Sequence, residues 1–253
     1  MDKSKKIIIV ILVAFALCFV GLKACAKLAE ELAGELMPEL KNGLSYEHSN
    51  MYAVADTGSI INPISELVVN WVNGEIRIQY ADTNVVCWQE QFVRGDRNEE
   101  NMLHYWYEDR TLHIQYSAPQ LIKSSLKKTV LEKNLVITLP RNLCLEEMEV
   151  SLVNGELISK VDARDISTSM VNGRTSLTLM SASDVEMSSV NGEMRLFLPE
   201  NTSFEVEFSK VNGSFNSDFE YTKLGNTYTS GQRPYNMEIE VSTVNGVVYI
   251  EKQ

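Results

Sequence analysis

The carboxylates are the first residues to weigh for chemistry. Asp162, Asp165, Asp184 and Glu186 are spaced so that neighbouring turns of a repeated structure could project them together. Two carboxyl groups in unlike surroundings can divide the acid and base work of glycoside cleavage. The same residues also suit solvated corners, where Asp is a common turn former. A second acidic series, Glu75, Glu156 and Glu193, follows a glycine in three places, with Arg174, Ser214 and Val247 at the corresponding positions elsewhere. A calcium ladder needs a denser oxygen array, such as the Gly- and Asp-rich nonapeptide repeat absent here, so a charged strand edge that resists aggregation accounts better for the series. Arg94-Gly95-Asp96 is a tripeptide that animal integrins recognise, but between Arg97, Glu99 and Glu100 it reads first as an exposed turn.

Metal, cofactor and thiol chemistry find little to work with. His48, His104 and His113 are scattered, and Cys18, Cys25, Cys87 and Cys144 form no CxxC pair or His/Cys cluster. The expectation is therefore no metal site, no cofactor and no catalytic residue. Cys18 lies in an apolar run and Cys25 just beyond it; Cys87 and Cys144 are either two core residues or, outside a cell, a disulfide. Trp71, Trp88, Trp106, Tyr105, Tyr107 and Tyr116 gather in the first half of the body. Such aromatics are core or cap material, or, where exposed, a surface for stacking on a glycan or a partner.

Charge and length narrow the classes further. With 34 acidic against 23 basic side chains the net charge is −11, which argues against nucleic acid as a partner. A composition of 44% hydrophobic and 23% charged residues over 253 positions is that of a folded protein of one or two domains.

The amino terminus carries a membrane signal. Lys3, Lys5 and Lys6 precede the uncharged run from Ile7 to Leu22, and Lys23 can snorkel to extend its reach. The positive-inside rule keeps the basic flank in the cytoplasm and sends the rest of the chain outward. Residues 1–26 are thus a transmembrane anchor, or a signal peptide cut after Ala24-Cys25-Ala26, or, with Lys23 a poor fit, a lipoprotein box at Cys25. Residues 27–43 place Leu28, Leu32 and Leu36 four apart, a short amphipathic juxtamembrane helix that stops near Pro38.

The elements that must position everything else come from a repeat. Val-Asn-Gly recurs six times, with Asn73-Gly74, Asn154-Gly155, Asn172-Gly173, Asn191-Gly192, Asn212-Gly213 and Asn245-Gly246 as its turn residues; the middle spacings are 18, 19 and 21. Aligned on the Val, position −5 reads Leu67, Met148, Ile166, Val185, Val206 and Ile239, and position −3 reads Val69, Val150, Thr168, Met187, Phe208 and Val241. Position +4 reads Ile76, Leu157, Thr175, Met194, Phe215 and Val248. Each unit is two strands joined through Asn-Gly, with these columns facing a core.

Because Asn and Gly tolerate positive φ, the dipeptide serves as a tight turn, and Gly192 is expected in that conformation. An antiparallel meander or sandwich fits every column, and so does a β-solenoid of stacked coils. The stretch from 80 to 138 reads as the same sheet system with longer strands and a charged loop near Asp96 to Asn101, and residues 224–235 as a Gly/Tyr-rich loop.

A VITLP strand, units of the form xVxSxVNGE, the segment LPENTSFEVEF and a closing MEIEVSTVNGVVYIEK after a Gly-containing loop resemble the bacterial family of β-strand-repeat proteins known as putative adhesins, common in Gram-positive bacteria. The resemblance spans about residues 60–251, although Asn-Gly stands where many members carry Ser-Gly-Asp. It implies a β-solenoid-like domain outside the membrane, for some members a gene neighbourhood linked to envelope stress, and no catalytic residues.

The expectation is an all-β, β-solenoid-like body over 44–253 behind one transmembrane helix, facing outward. Its role is adhesin-like binding or scaffolding, with the membrane and a cell-envelope protein or glycan as partners; a glycan-cleaving solenoid is the alternative.

Overall fold

The computed structural model describes residues 50–118, 131–182 and 184–253. The membrane segment and the juxtamembrane helix expected over 1–43 lie outside them. Among the described residues there are fourteen strands and no helix, so none is long and apolar enough to cross a membrane. Six strands are long and carry the repeats: β3 (Glu66–Ala81), β8 (Leu145–Ser159), β9 (Ala163–Thr178), β10 (Asp184–Leu198), β11 (Phe204–Ser217) and β14 (Met237–Lys252). The others are shorter: β1 (Ala53–Val54), β2 (Thr57–Ile60), β4 (Val86–Arg94), β5 (His104–Glu108), β6 (Thr111–Gln115), β7 (Glu132–Pro140), β12 (Thr222–Leu224) and β13 (Thr227–Ser230).

The repeats pair in parallel, in register and between units. Asn73 lies opposite Asn154, Asn154 opposite Asn172, Asn172 opposite Asn191, Asn191 opposite Asn245, and Asn245 opposite Asn212. The spatial order is therefore β3-β8-β9-β10-β14-β11, with β14 inserted between its two predecessors. This overturns the antiparallel meander: no hairpin closes at Asn-Gly, and each repeat runs through it as one continuous strand. Antiparallel pairing is confined to the flanks, where β4 pairs with β2 and β7, β5 with β1 and β6, and β13 with β11 and β12. The sheet is open, with β1 at one end of its path and β12 at the other.

What Val-Asn-Gly does instead is bend the strand. Side chains alternate along a strand, so positions −5, −3 and −1 share a face, and a regular strand would put +4 and +6 on the opposite one. Yet Met148 and Leu152 before the bend of β8, and Leu157 and Ser159 after it, are all buried. Ser159 Oγ lies 3.9 Å from Met148 Sδ, whereas eleven extended residues would separate them by about 36 Å. In β11 the rings of Phe208 and Phe215 are 6.2 Å apart. The two arms of each repeat thus face one another across the core, and both contribute to it. The Val is skipped in the register at every crossing, which is how the parity changes.

The bend leaves room only for glycine. A β-carbon on Gly173 would lie 1.8 Å from the carbonyl oxygen of Gly155, and one on Gly155 would lie 1.9 Å from that of Gly74. Gly155 and Gly173 also hold φ values of 140° and 141°, a region that L-residues rarely enter. Gly192 does not share that conformation; its constraint is steric, with the Gly173 carbonyl oxygen 2.7 Å from a β-carbon.

Two further expectations change. The strands between 80 and 138 are shorter than the repeats, because they cover the open side of β3: β6 pairs with its first arm and β7 with its second. Residues 222–230 are a hairpin, β12 to β13, that covers the first arm of β11.

The glycine row generates a first prediction. Gly173→Ala should cost roughly 2–4 kcal/mol, combining strain with overpacking against a backbone atom that cannot withdraw. Gly225→Ala, at a φ of 63° with nothing within 4 Å of the new methyl group, should cost only about 1 kcal/mol. Urea unfolding followed by fluorescence checks the pair; equal losses would mean that the row does not constrain the bend.

Candidate functional site

The largest run of like chemistry is an acidic sheet face. Positions −6 and −4 of the repeats point away from the core, and they are mostly carboxylates. One column runs Glu66, Glu147, Asp165, Asp184, Glu238 and Glu205, each opposite the next across neighbouring strands. The column beside it contains Glu149, Glu186, Glu240 and Glu207, interrupted by Ser167. Over this surface lies an open groove of about 490 Å³, lined by eight carboxylates, Ser167 and the flanking apolar residues. Arg164 reaches Asp165 at 3.2 Å and Arg233 reaches Glu205 at 3.0 Å.

The structure therefore brings together three of the four carboxylates nominated for chemistry, Asp165, Asp184 and Glu186, and leaves Asp162 apart. Asp162 sits between β8 and β9, where its Oδ1 accepts hydrogen bonds from the backbone N–H groups of Met180 (2.7 Å) and Ser181 (3.0 Å). That is a corner role. In-register carboxylates on strands ~4.8 Å apart repel one another by about 1 kcal/mol per neighbour in a water-like dielectric, less in salt.

The glycine-following series occupies the opposite arm as an ionic row. Arg174 bridges Glu156 (3.3 Å) and Glu193 (3.1 Å), and Arg195 bridges Glu193 (2.6 Å) and Glu251 (3.0 Å). Hydrogen bonding from Arg195 holds the Glu193 carboxyl below the usual range. Each of these half-exposed surface pairs adds little to stability.

A second centre, absent from the candidates drawn from sequence, is buried. Lys133 of β7 is 0% exposed and forms an ion pair with Glu90 of β4. Its ammonium also donates to the carbonyl oxygens of Tyr116 and Asn101, the latter at 2.5 Å. It lies over the rings of Tyr116 (4.2 Å), Trp71 (5.0 Å) and Phe92 (5.3 Å). Glu90 Oε2 accepts the backbone N–H of Leu103 at 3.1 Å. Burial pushes the Lys133 ammonium down to about 8 and the Glu90 carboxyl up. The pair ties β4, β7 and Tyr116, the residue after β6, to the charged loop before β5, an organising role. Its signal was legible: Lys133 alternates in phase with Leu135, Ile137 and Leu139, and Glu90 with Val86 and Trp88, all buried.

The remaining candidates disperse. Trp71, Trp88 and Tyr116 are buried, and Trp106 stacks on His113 with ring centroids 4.9 Å apart. Arg94-Gly95-Asp96 is exposed and straddles the end of β4; the Asp96 carbonyl oxygen accepts the Asn101 amide at 2.7 Å. Cys87 is half-buried and Cys144 exposed, both as free thiols, so they are neither paired nor fully buried core residues. The Asn members of the repeat form an amide row at the bend, from Asn154 to Asn172 (2.9 Å), Asn191 (2.9 Å), Asn245 (3.0 Å) and Asn212 (3.4 Å).

Three measurements probe these centres. Asp184→Asn should stabilise the protein by up to about 1 kcal/mol in roughly 10 mM salt, a gain that shrinks in about 0.5 M salt as screening replaces the substitution. A destabilised variant would mean that the column is held by partners and is not repulsive. Lys133→Met should cost about 3–5 kcal/mol, because it strands Glu90, whereas Lys133→Met with Glu90→Leu should cost less than Lys133→Met alone. Since the folded Lys133 titrates near 8 against an ordinary value of 10.5, native stability should rise from this group as pH climbs between those values. Denaturation profiles of wild type and Lys133→Met should therefore diverge over that window, and parallel profiles would refute the assignment.

Among known proteins, no family model matches the chain, and no curated protein does so either. A putative cell adhesion protein from Clostridium sporogenes is similar in structure, with a TM-score of 0.61 and 17% identity, over 80% of this chain and 98% of that one. A putative adhesin from Bacteroides fragilis gives a TM-score of 0.31 at 12% identity, over 78% of this chain and 96% of that one. A putative lipid binding protein from Parabacteroides distasonis gives 0.30 at 13%, over 78% and 96%. The likeness to the Clostridium protein establishes a shared all-β fold over most of the chain.

Proposed function

We propose that this protein is a membrane-tethered, extracytoplasmic binding module, adhesin-like in role, that docks a cell-envelope protein or glycan. Residues 1–26 tether it, 27–43 form a juxtamembrane helix, and 44–253 are a β-solenoid-like body whose six Asn-Gly pairs are the corners of its coils. The observation that carries the reading is the acidic groove, a broad open surface on a continuous sheet. Its eight carboxylates are spread along one open face, whereas glycoside cleavage sets two carboxyls apart, one protonated and one ionised. Asp184 is exposed, and Asp165 and Glu186 are half-buried, so no dry pocket singles out an acid. The description of the Clostridium neighbour as a putative cell adhesion protein is consistent with this reading. A link to envelope stress belongs to the same proposal and rests on the resemblance of the repeats.

Orientation and activity are tested together. Protease added to intact cells should remove the body while a cytoplasmic control survives, and the purified protein should co-sediment with envelope fragments without releasing reducing sugar ends. Release of reducing ends that disappears in Asp184→Asn would establish the glycan-cleaving alternative, and a protected body would reverse the topology.

A further inference from the structure

The glycine and amide rows end at an edge that differs from every other bend in the sheet. The bends of β8, β9, β10 and β14 each have a strand on both sides, and that of β3 is covered by residues 131–134 through Asn73, Trp71 and Glu75. β11 is paired with β14 along its length, but on its other side β13 reaches only from Phe204 to Glu207. Among the described residues, nothing pairs with 209–217 on that side. The effect on the Val column is large: Val171 is 9% exposed and Val190 6%, but Val211 is 82% exposed.

Position −1 shows the same difference in chemistry. Trp71, Leu152, Met170, Ser189 and Thr243 are buried there, and β11 alone has a charge, the exposed Lys210. Its ammonium donates to the Gly213 carbonyl oxygen at 2.6 Å and lies 5.2 Å from the Phe208 ring. In the row, the bare α-carbon of Gly155 abuts the carbonyl of Gly74, that of Gly173 abuts Gly155, and that of Gly213 abuts Gly246. The Gly213 carbonyl is the one against which a further strand would set its own glycine. Asn212 donates to Asn245, which leaves its Oδ1 as the terminal acceptor of the amide row.

We propose that the 209–217 edge of β11 is a strand-accepting surface gated by Lys210. Its occupant is an extended peptide segment, added in parallel, with Asn-Gly in register with Asn212-Gly213. Any β-carbon at the glycine position of that segment would meet the Gly213 carbonyl, as it would inside the row, so the surface selects for glycine there. Lys210 caps the carbonyl in the absence of the partner and, being charged, guards the edge against indiscriminate pairing. The incoming strand must displace the ammonium, which makes the cation the gate. The proposal rests on the edge geometry and does not depend on the acidic face or the membrane topology.

The test uses a fluorescent peptide, Ser242–Lys252 of this chain, which already matches β11 in register on its other side. Titrated against the full-length protein, it should bind saturably, and at least tenfold more tightly to Lys210→Thr, which carries the residue of β14 at that position. The same peptide with Gly246→Val should bind neither protein. Hydrogen exchange should show new protection at amides within 209–217 and nowhere on the acidic face. Because Lys210 is exposed, Lys210→Thr should keep the wild-type melting temperature, so a change in binding reads the edge and not the fold. Failure to bind either protein, equal binding of the Gly246→Val peptide, no gain with Lys210→Thr, or protection elsewhere would each overturn the proposal. Association of Lys210→Thr with itself, without peptide and with the same amides protected, would make a second copy the occupant and overturn it as well.

Discussion

The fold depends on one steric fact: at the bend of each repeat, backbone lies directly against backbone. The carbonyl oxygen of one glycine lies against the α-carbon of the glycine beside it, with 1.8–1.9 Å to where a methyl group would stand at Gly155 and Gly173. Such proximity fixes the register to the residue, because a strand displaced by one position would bring Asn or the following residue against the carbonyl. The register in turn stacks the asparagines for their amide row and aligns the apolar columns of both arms on one core. The glycine is thus not a loop residue placed between two strands. It is the close-packed position beside the skipped Val, where parity changes so that two arms of one strand can face each other.

The columns of the repeat were legible because they follow from composition at fixed offsets. Leu67, Met148, Ile166, Val185, Val206 and Ile239 are all buried, as their alignment requires. The direction of pairing was not legible. Asn-Gly between alternating apolar residues suits a two-residue hairpin as well as a bend, and the difference lies in which backbone groups each arm bonds, which side-chain alternation does not encode. The carboxylates fall between these cases. That Asp165 and Asp184 share a column follows from the repeat spacing, whereas the detachment of Asp162 does not, because it depends on the backbone N–H groups of Met180 and Ser181 coming to its Oδ1. Lys133 and Glu90 were legible from alternation alone, as charges in phase with core positions, but their partnership needed the antiparallel register that places Glu90 opposite Leu135.

The acidic face and the buried pair show how differently the fold treats charge. On the outer face, neighbouring carboxylates are tolerated because water and salt weaken their repulsion. Inside, a single cation needs a carboxylate, two carbonyl oxygens and three aromatic rings around it. A buried pair of this kind adds little net stability over an apolar replacement, yet removing either partner alone is costly. Its value here is positional, since it joins the short flanking strands to the loop that leads into β5.

The order of the strands poses the harder physical question, because six similar repeats could pair in many orders while keeping every column intact. The glycine row and the apolar columns are common to all of them and cannot discriminate. Discrimination has to come from the positions at which the repeats differ. Between β10 and β14 the Ser189 and Thr243 hydroxyls meet at 3.0 Å inside the core, and Arg195 reaches Glu251 at 3.0 Å on the surface. The hydroxyl pair could not form if β11 lay beside β10, since Lys210 holds in β11 the register position that Thr243 holds in β14. A lysine in the buried −1 column would be an uncompensated charge, which makes that order unfavourable by roughly several kcal/mol. Lys210 thereby assigns β11 to the edge, and β14, with Thr243 at the same position, is left to fill the place beside β10.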